Sequence, residues 1–413
     1  MRQLILTLIV SQCLIVFHNQ INAQGTWTQK ADVGTFGRLN AVGFSIGTKG
    51  YIGTGRYHPF AYPYPDSLLR DFWEWDQTTN AWTQKADFAG TARLYSIGFS
   101  IGTKGYIGLG ADTTGWAKDM WEWDQATNIW TQKANFGGTG RYFPVSFSIG
   151  SKGYFGTGSL TLTQGLDDFW EFDPATNIWS QKANFAGGIR QEAIGFSIGS
   201  KGYIGVGRDY QGGNTYNDLW EWDQTTNTWS QKSNYGGIPK YNSAAFSINT
   251  KGYIATGLSD TTYYLNDFWE WDKSTNIWGQ KATFSGVGRC EAVGFSIGNK
   301  GYVGTGSNEF WIGYKDFWEY DPNGNGINEY KNPISISIFP NPFYAQTTMQ
   351  TNNLLLNATL TVYNLYGQAV KEIKNISGHT VTLFRDNLPS GLYFVRLTEE
   401  GKTLATDKLV ITD

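Results

Sequence analysis

Asp71-Phe72-Trp73-Glu74-Trp75-Asp76-Gln77-Thr78-Thr79-Asn80-Ala81-Trp82-Thr83-Gln84-Lys85 reads as a β-hairpin. Asp71 to Asp76 and Ala81 to Lys85 are aromatic-rich strands. Gln77 to Asn80 make the turn, where Asp76 and Asn80 can bond their own backbone. In a symmetric hairpin about that turn Trp75 faces Trp82, and such a cross-strand aromatic pair contributes up to about 1 kcal/mol. The hairpin recurs along the chain. Asp-x-Trp-Glu-x-Asp begins at Asp71, Asp119, Asp168, Asp218, Asp267 and Asp316.

Two further motifs keep the same period. Lys-Gly-Tyr begins at Lys49, Lys104, Lys152, Lys201, Lys251 and Lys300, and Trp-x-Gln-Lys at Trp27, Trp82, Trp130, Trp179, Trp229 and Trp278. Spacings of 48 to 55 residues suit one four-stranded propeller blade. In the first unit Leu39 to Ile46 carry small residues suited to a crowded inner strand. Gly47 to Gly50 turn the chain, and Tyr51 to Gly55 form strand two. A variable loop then leads to the hairpin. The sixth unit has its third strand at Asp316 to Asp321 but no Trp-x-Gln-Lys after it, while the chain opens on an orphan one at Trp27. The expected fold is all-β: a six-bladed β-propeller of four-stranded blades over residues 24–321, closed by an N-terminal strand that completes the last blade. Eighteen Trp and fifty-one Gly in 413 residues fit many short strands and tight turns.

These residues resemble the kelch family over residues 25–321. The match is Arg38 before strand one, the Gly-rich end of strand two, and an aromatic seven residues before a Trp, as in Trp75 and Trp82. Strand two ends on Thr54-Gly55 where the family has Gly-Gly, and that departure weakens transfer of any one member's function.

Residues 1–23 read as a secretory signal peptide. Arg2 gives the charged start, Leu4 to Val10 and Leu14 to Phe17 the apolar stretch, and Ala23 the last residue before cleavage. Ser11 and Gln12 interrupt the apolar run, so it is too short for a spanning helix, and no membrane span is expected in the mature chain. Only Cys290 then remains, which excludes an internal disulfide.

After a polar linker at 322–333, residues 334–413 change to seven short β-like runs, expected to form a small Ig-like β-sandwich. The pieces Phe339-Pro340-Asn341-Pro342-Phe343, Tyr363-Asn364-Leu365-Tyr366-Gly367, Leu388-Pro389-Ser390-Gly391-Leu392-Tyr393 and Lys408-Leu409-Val410 resemble the C-terminal sorting domain of the type IX secretion system of Bacteroidota. The resemblance implies Sec export to the periplasm, recognition of residues 334–413 by an outer-membrane translocon, and release or surface attachment.

Several chemistries are excluded. A net charge of -3 leaves no electrostatic footprint for nucleic acid. The three histidines are His18, His58 and His379, and neither of the last two lies in a nucleophile motif. Galactose oxidase shares the propeller, but one His and one Cys there cannot build its copper site. Asp321-x-Asn323-x-Asn325-Gly326 looks like a calcium loop, yet its twelfth position is Asn332 rather than Glu. Glu74, Glu122, Glu171, Glu221, Glu270 and Glu319 repeat in every unit, so they read as inter-blade structure rather than a catalytic pair. No catalytic residue, metal or cofactor is expected.

Loops 2–3 and 4–1 of each blade leave at one end, and these alone vary, so specificity is expected there. The candidate ligand residues are Tyr57, Tyr62, Tyr64, Trp116, Tyr210, Tyr264 and Trp311, with the ring of cations Arg38, Arg93, Arg141, Arg190 and Arg289. Exposed aromatics near cations suit sugar rings or a partner protein. The leading expectation is a secreted or surface-held binding protein for a glycan or a protein. The alternatives are a carbohydrate-active enzyme, since some bacterial six-bladed kelch proteins are sialic acid mutarotases, and a purely structural surface protein. A cluster of polar and charged residues confined to particular blades would favour the enzyme.

Overall fold

A computed structural model describes residues 25–58, 67–161, 163–324, 336–399 and 402–413. The leader therefore lies outside the described residues, as do Tyr62, Tyr64 and most of the calcium-like loop. The chain divides into two compact units that part near residue 326, and every regular element among the described residues is a β-strand.

The first unit contains six four-stranded antiparallel sheets. Their inner strands are Val42–Ile46, Ile97–Ile101, Val145–Ile149, Ile194–Ile198, Ala244–Ile248 and Val293–Ile297. Each packs on the next and the last packs on the first, so the ring is closed. In the first blade Val42, Phe44 and Ile46 are buried between sheets while Gly43 lines the central channel. A Cβ on Gly43 would come within 2.9 Å of Val293 Cβ, which is why this position stays small. The two-residue turn Gly47-Thr48, with Gly47 at φ 58°, leads into Lys49–Gly53. The hairpin Phe72–Asp76 and Ala81–Gln84 follows, with Trp75 paired to Trp82.

The inner strand is shorter than the sequence suggests. Asn40 takes a left-handed conformation (φ 54°) and breaks the strand before it starts, leaving Leu39 in a single bridge to Arg56. The variable 2–3 loops of blades one to five also carry short two-stranded ribbons, such as Arg56–Tyr57 with Ser67–Leu68.

Closure is supplied by Thr26–Lys30, which pairs with Phe317–Asp321 and sets Trp27 opposite Tyr320. Trp27 Nε1 donates to Ala282 O of the preceding blade at 3.1 Å. Trp82, Trp130, Trp179, Trp229 and Trp278 make the same bond to Ala31, Ala86, Ala134, Ala183 and Ser233. One indole thus joins each blade to its neighbour at all six junctions. Phe72 adds apolar adhesion, 5.0 Å from Trp123 and 5.2 Å from Trp130 of the next blade.

The repeated glutamates are held within blades rather than between them. Glu74 accepts from Tyr51 Oη at 2.6 Å and faces Lys85 of its own blade. The expected placement between blades is thereby corrected. The phenol faces Glu74 because Tyr51 and Glu74 are cross-strand partners on adjacent strands.

The second unit is a five-stranded sheet: Ile336–Phe339, Gln346–Tyr363, Ala369–Phe384, Gly391–Glu399 and Lys402–Ile411. Five strands replace the seven short runs because two of them are long and irregular. Register shifts between Gln350 and Leu360, and left-handed Asn357 and Asn375, break the alternation without ending the strand. A parallel bridge from Phe343 to Ile411 nearly closes the sheet around Met349, Leu360, Val362, Val395, Leu397 and Leu409.

Candidate functional site

Thr54, at φ 57°, occupies the position where a Gly-Gly would bend freely, and it aims its carbonyl at a buried cation. Arg38 Nη1 donates to Thr54 O at 3.2 Å and to Asp71 Oδ1 at 2.8 Å, and Nη2 donates to Asp71 Oδ2 at 2.6 Å. Trp73 Nε1 binds the same carboxylate. Arg93, Arg141, Arg190 and Arg289 repeat this fork on Asp119, Asp168, Asp218 and Asp316. All five guanidiniums are buried. Burial opposes ionisation of Asp71, yet Arg38 overcomes it and holds the carboxyl below its ordinary range. The expected ring of ligand-binding arginines is therefore corrected: these side chains are sealed in bidentate pairs beneath the loop face.

Blade five varies the device. Lys240 reaches Asp267 Oδ1 at 2.7 Å and Thr256 O at 3.0 Å but cannot fork. The phenol of Tyr235 donates to the other carboxylate oxygen, where blades two, three, four and six have Phe88, Phe136, Phe185 and Phe284 under an arginine. Burial pushes the Lys240 ammonium down to about 8, against the pull of Asp267. Tyr235→Phe and Lys240→Arg should each destabilise by about 1–3 kcal/mol, the first by orphaning an acceptor, the second by crowding the phenol. Together they rebuild the pattern of the other blades, so chemical denaturation of the four proteins should give a coupling of at least about 1 kcal/mol. Additive losses would refute the compensation.

The loop face carries the expected aromatics in different settings. Trp116 is 40% exposed with its ring 3.9 Å from that of Tyr142 in the next blade, so it serves scaffold and surface together. Trp311 is 49% exposed in a left-handed turn. Tyr210 is exposed and lies under the Arg208 guanidinium, 3.7 Å from ring centre to Cζ. Tyr57 packs 4.8 Å from Phe36. Tyr264 is half-buried, and burial pushes its phenol up to about 12.

At the centre of this face stands a group that the sequence reading missed. Asn40, Tyr95, Phe143, Glu192, Asn242 and Glu291 occupy one equivalent position, two residues before each inner strand, and all six have φ between 52° and 59°. Left-handed Tyr, Phe and Glu cost on the order of 1 kcal/mol each and gather where function demands a fixed geometry. Backbone bonds link neighbours around the ring: Tyr95 N to Asn40 O, Asn242 N to Glu192 O and Glu291 N to Asn242 O. One half is aromatic, with the Tyr95 and Phe143 rings 4.2 Å apart. The other is acidic. Arg208 Nη2 donates to Glu192 Oε1 at 3.0 Å, and Ser307 Oγ lies 3.3 Å from Glu291 Oε2.

Burial pushes the Glu291 carboxyl up to about 7, the charge of Glu192 adds to this, and Asn40, Ser307 and Arg56 oppose it. Burial also raises Glu192, against Arg208 and Asn242. Gln191, beside this ring, is buried with neither amide atom hydrogen-bonded. The inner strands that follow enclose a channel cavity of about 160 Å³ lined by Ala41, Ser96, Ser146, Ala193 and Ser243 among others. Such a mouth can hold a small polar ligand by planar amide, carboxyl and guanidinium groups against an aromatic wall. The available signal was a fixed offset from a repeated cation: Asn40, Tyr95, Phe143, Glu192, Asn242 and Glu291 each stand two residues after the Arg or Lys that precedes strand one. Among the described residues no cluster of His, Cys, Asp and Glu suits a metal ion.

Residues 337–412 match the model of the secretion system C-terminal sorting domain. A solved structure titled "Structure of YjhT" is similar to this chain, with a TM-score of 0.58 at 16% identity over 70% of this chain and 96% of that one. At that identity the likeness speaks for the propeller fold alone. No curated protein matches the chain by sequence. The sorting domain marks the chain for secretion or the cell surface, and among the described residues no helix is long and apolar enough to cross a membrane.

Proposed function

We propose that this is a type IX cargo: a kelch-like propeller delivered outside the cell to bind a glycan or a partner protein through its 2–3 and 4–1 loop face. One observation carries the reading. Trp116, Tyr210 and Trp311 stand exposed on the variable 2–3 loops, where Trp116 packs on Tyr142 and Tyr210 on the Arg208 that binds Glu192, while the turns at the other end repeat with little change. The mature chain should bind on a glycan or protein array. Replacing Trp116, Tyr210 and Trp311 together by Ala should weaken that binding tenfold or more and move the melting temperature by only a few degrees. Retained affinity, or collapse of the fold, would assign these rings to the scaffold.

A second reading, a carbohydrate-active enzyme of the sialic acid mutarotase type, is favoured by the acidic half of the ring. Glu192 and Glu291 come from particular blades, and burial raises both carboxyls, Glu291 to about 7, the direction that suits general acid–base work. Anomer exchange of N-acetylneuraminate, followed by NMR, should then be faster with the protein than in buffer and should be lost in Glu291→Gln. A rate equal to that of buffer would reject it.

A further inference from the structure

The acidic half of the ring is built so that its two carboxyls see each other. Glu192 and Glu291 lie on blades four and six, bracket Asn242 of blade five, and are tied to it by backbone bonds of 2.9 and 3.0 Å. Both side chains are buried. Two cations from the loop ribbons bear on their charge. Arg208 grips Glu192 from the blade-four ribbon, and Arg56 of the blade-one ribbon acts on Glu291. The ionisable neighbours are Tyr95, Tyr241 and Tyr264, with Cys290, whose thiol burial also drives up. None of these four ionises near neutral pH.

We propose that Glu192 and Glu291 hold one proton between them and that this proton sets the charge of the channel mouth. With both carboxyls ionised, two glutamates and two arginines cancel. With one proton bound, the mouth carries a net positive charge of one. Sharing follows from their placement: both side chains are buried on either side of Asn242, the charge of Glu192 bears on Glu291, and two carboxyls in one low-dielectric site cannot both ionise as readily as either alone. A charged ligand entering the mouth must then bind with a pH dependence centred in the neutral range. The sign of that dependence reports the sign of the ligand, because an anion is favoured by the protonated state and a cation by the ionised one.

This inference rests on the mouth being part of the ligand face, but its test needs no ligand. Glutamate side-chain carboxyls of the full chain, labelled with ¹³C, are titrated by NMR between pH 4 and 9. One Glu should titrate near 7, and Glu291→Gln should remove that transition. Glu192→Gln should lower the midpoint of the remaining carboxyl by about one pH unit, and Arg208→Gln should raise it. The proposal is overturned if no Glu titrates above pH 6, or if Glu192→Gln leaves the midpoint where it was. The unmodified chain supplies the first criterion even where a variant fails to fold. A titration as expected with no ligand found at the mouth would count against the binding reading alone.

Discussion

Removal of residues 24–31 is expected to lower the melting temperature by about 10 °C or more and to cause self-association. Three losses combine. The pairing of Thr26–Lys30 with Phe317–Asp321 goes, which leaves the last blade with three strands and a bare edge. Trp27 goes, with its rings Phe268, Phe284 and Tyr320 at 4.9, 5.0 and 5.2 Å. A half-buried indole of this kind is worth about 3 kcal/mol, the lower end for Trp→Ala. Ala31 goes as well, and with it the carbonyl that receives Trp82 Nε1 and the amide that reaches Asn80 Oδ1, which are bonds into the first blade. The sum is about 5 kcal/mol or more, comparable to the whole stability of an ordinary domain. At about 2 °C for each kcal/mol in a chain of this size, the shift in melting follows. Trp27→Ala alone should cost about as much as Trp130→Ala, because both occupy the same place in their blades. An unchanged melting temperature in the truncated chain would mean that the ring does not depend on its N-terminal strand.

The repeats made this closure readable, because a motif in excess at one end and missing at the other admits few arrangements. Trp75 opposite Trp82 was equally legible, since a hairpin's register follows from its turn. The arginines were legible only as alternatives. Their chemistry suits a ligand face and an ion pair alike, and Asp71, more than thirty residues from Arg38, decides for the pair by arriving beneath it. The ring at the channel mouth was hidden for a different reason. Its members are far apart in sequence, no single residue type runs through them, and they meet only because six strands converge on one axis. The long tail strands were misjudged because a bulge and a strand end look alike in one dimension: both interrupt the alternation of buried and exposed residues.

Deleting Pro333 to Asp413 should leave the propeller folded and held in the periplasm, with export reduced to near background. The two units have separate cores, so the propeller loses none of its own packing when the tail is cut. The tail is built to stand alone. Asn341 Nδ2 donates to Lys408 O and Asn341 Oδ1 accepts from Val410 N, both at 2.8 Å, so a single amide mimics a strand and ties the Pro-Asn-Pro turn to the last strand. Phe343 N to Val410 O and Thr412 N to Phe343 O continue the seam. Arg385 and Ser390 then clasp Asp413. The first and last motifs that resemble a sorting domain are therefore the two sides of one closure, which explains why both must be present. Asn341→Ala should open this seam, leave the propeller's melting unchanged, and lower export in proportion to the tail unfolded. Fusing residues 334–413 to an unrelated periplasmic protein should carry that protein out of the cell. Normal surface delivery of the truncated chain would deny the tail its role, and failure of the fusion would mean that the propeller takes part in its own sorting.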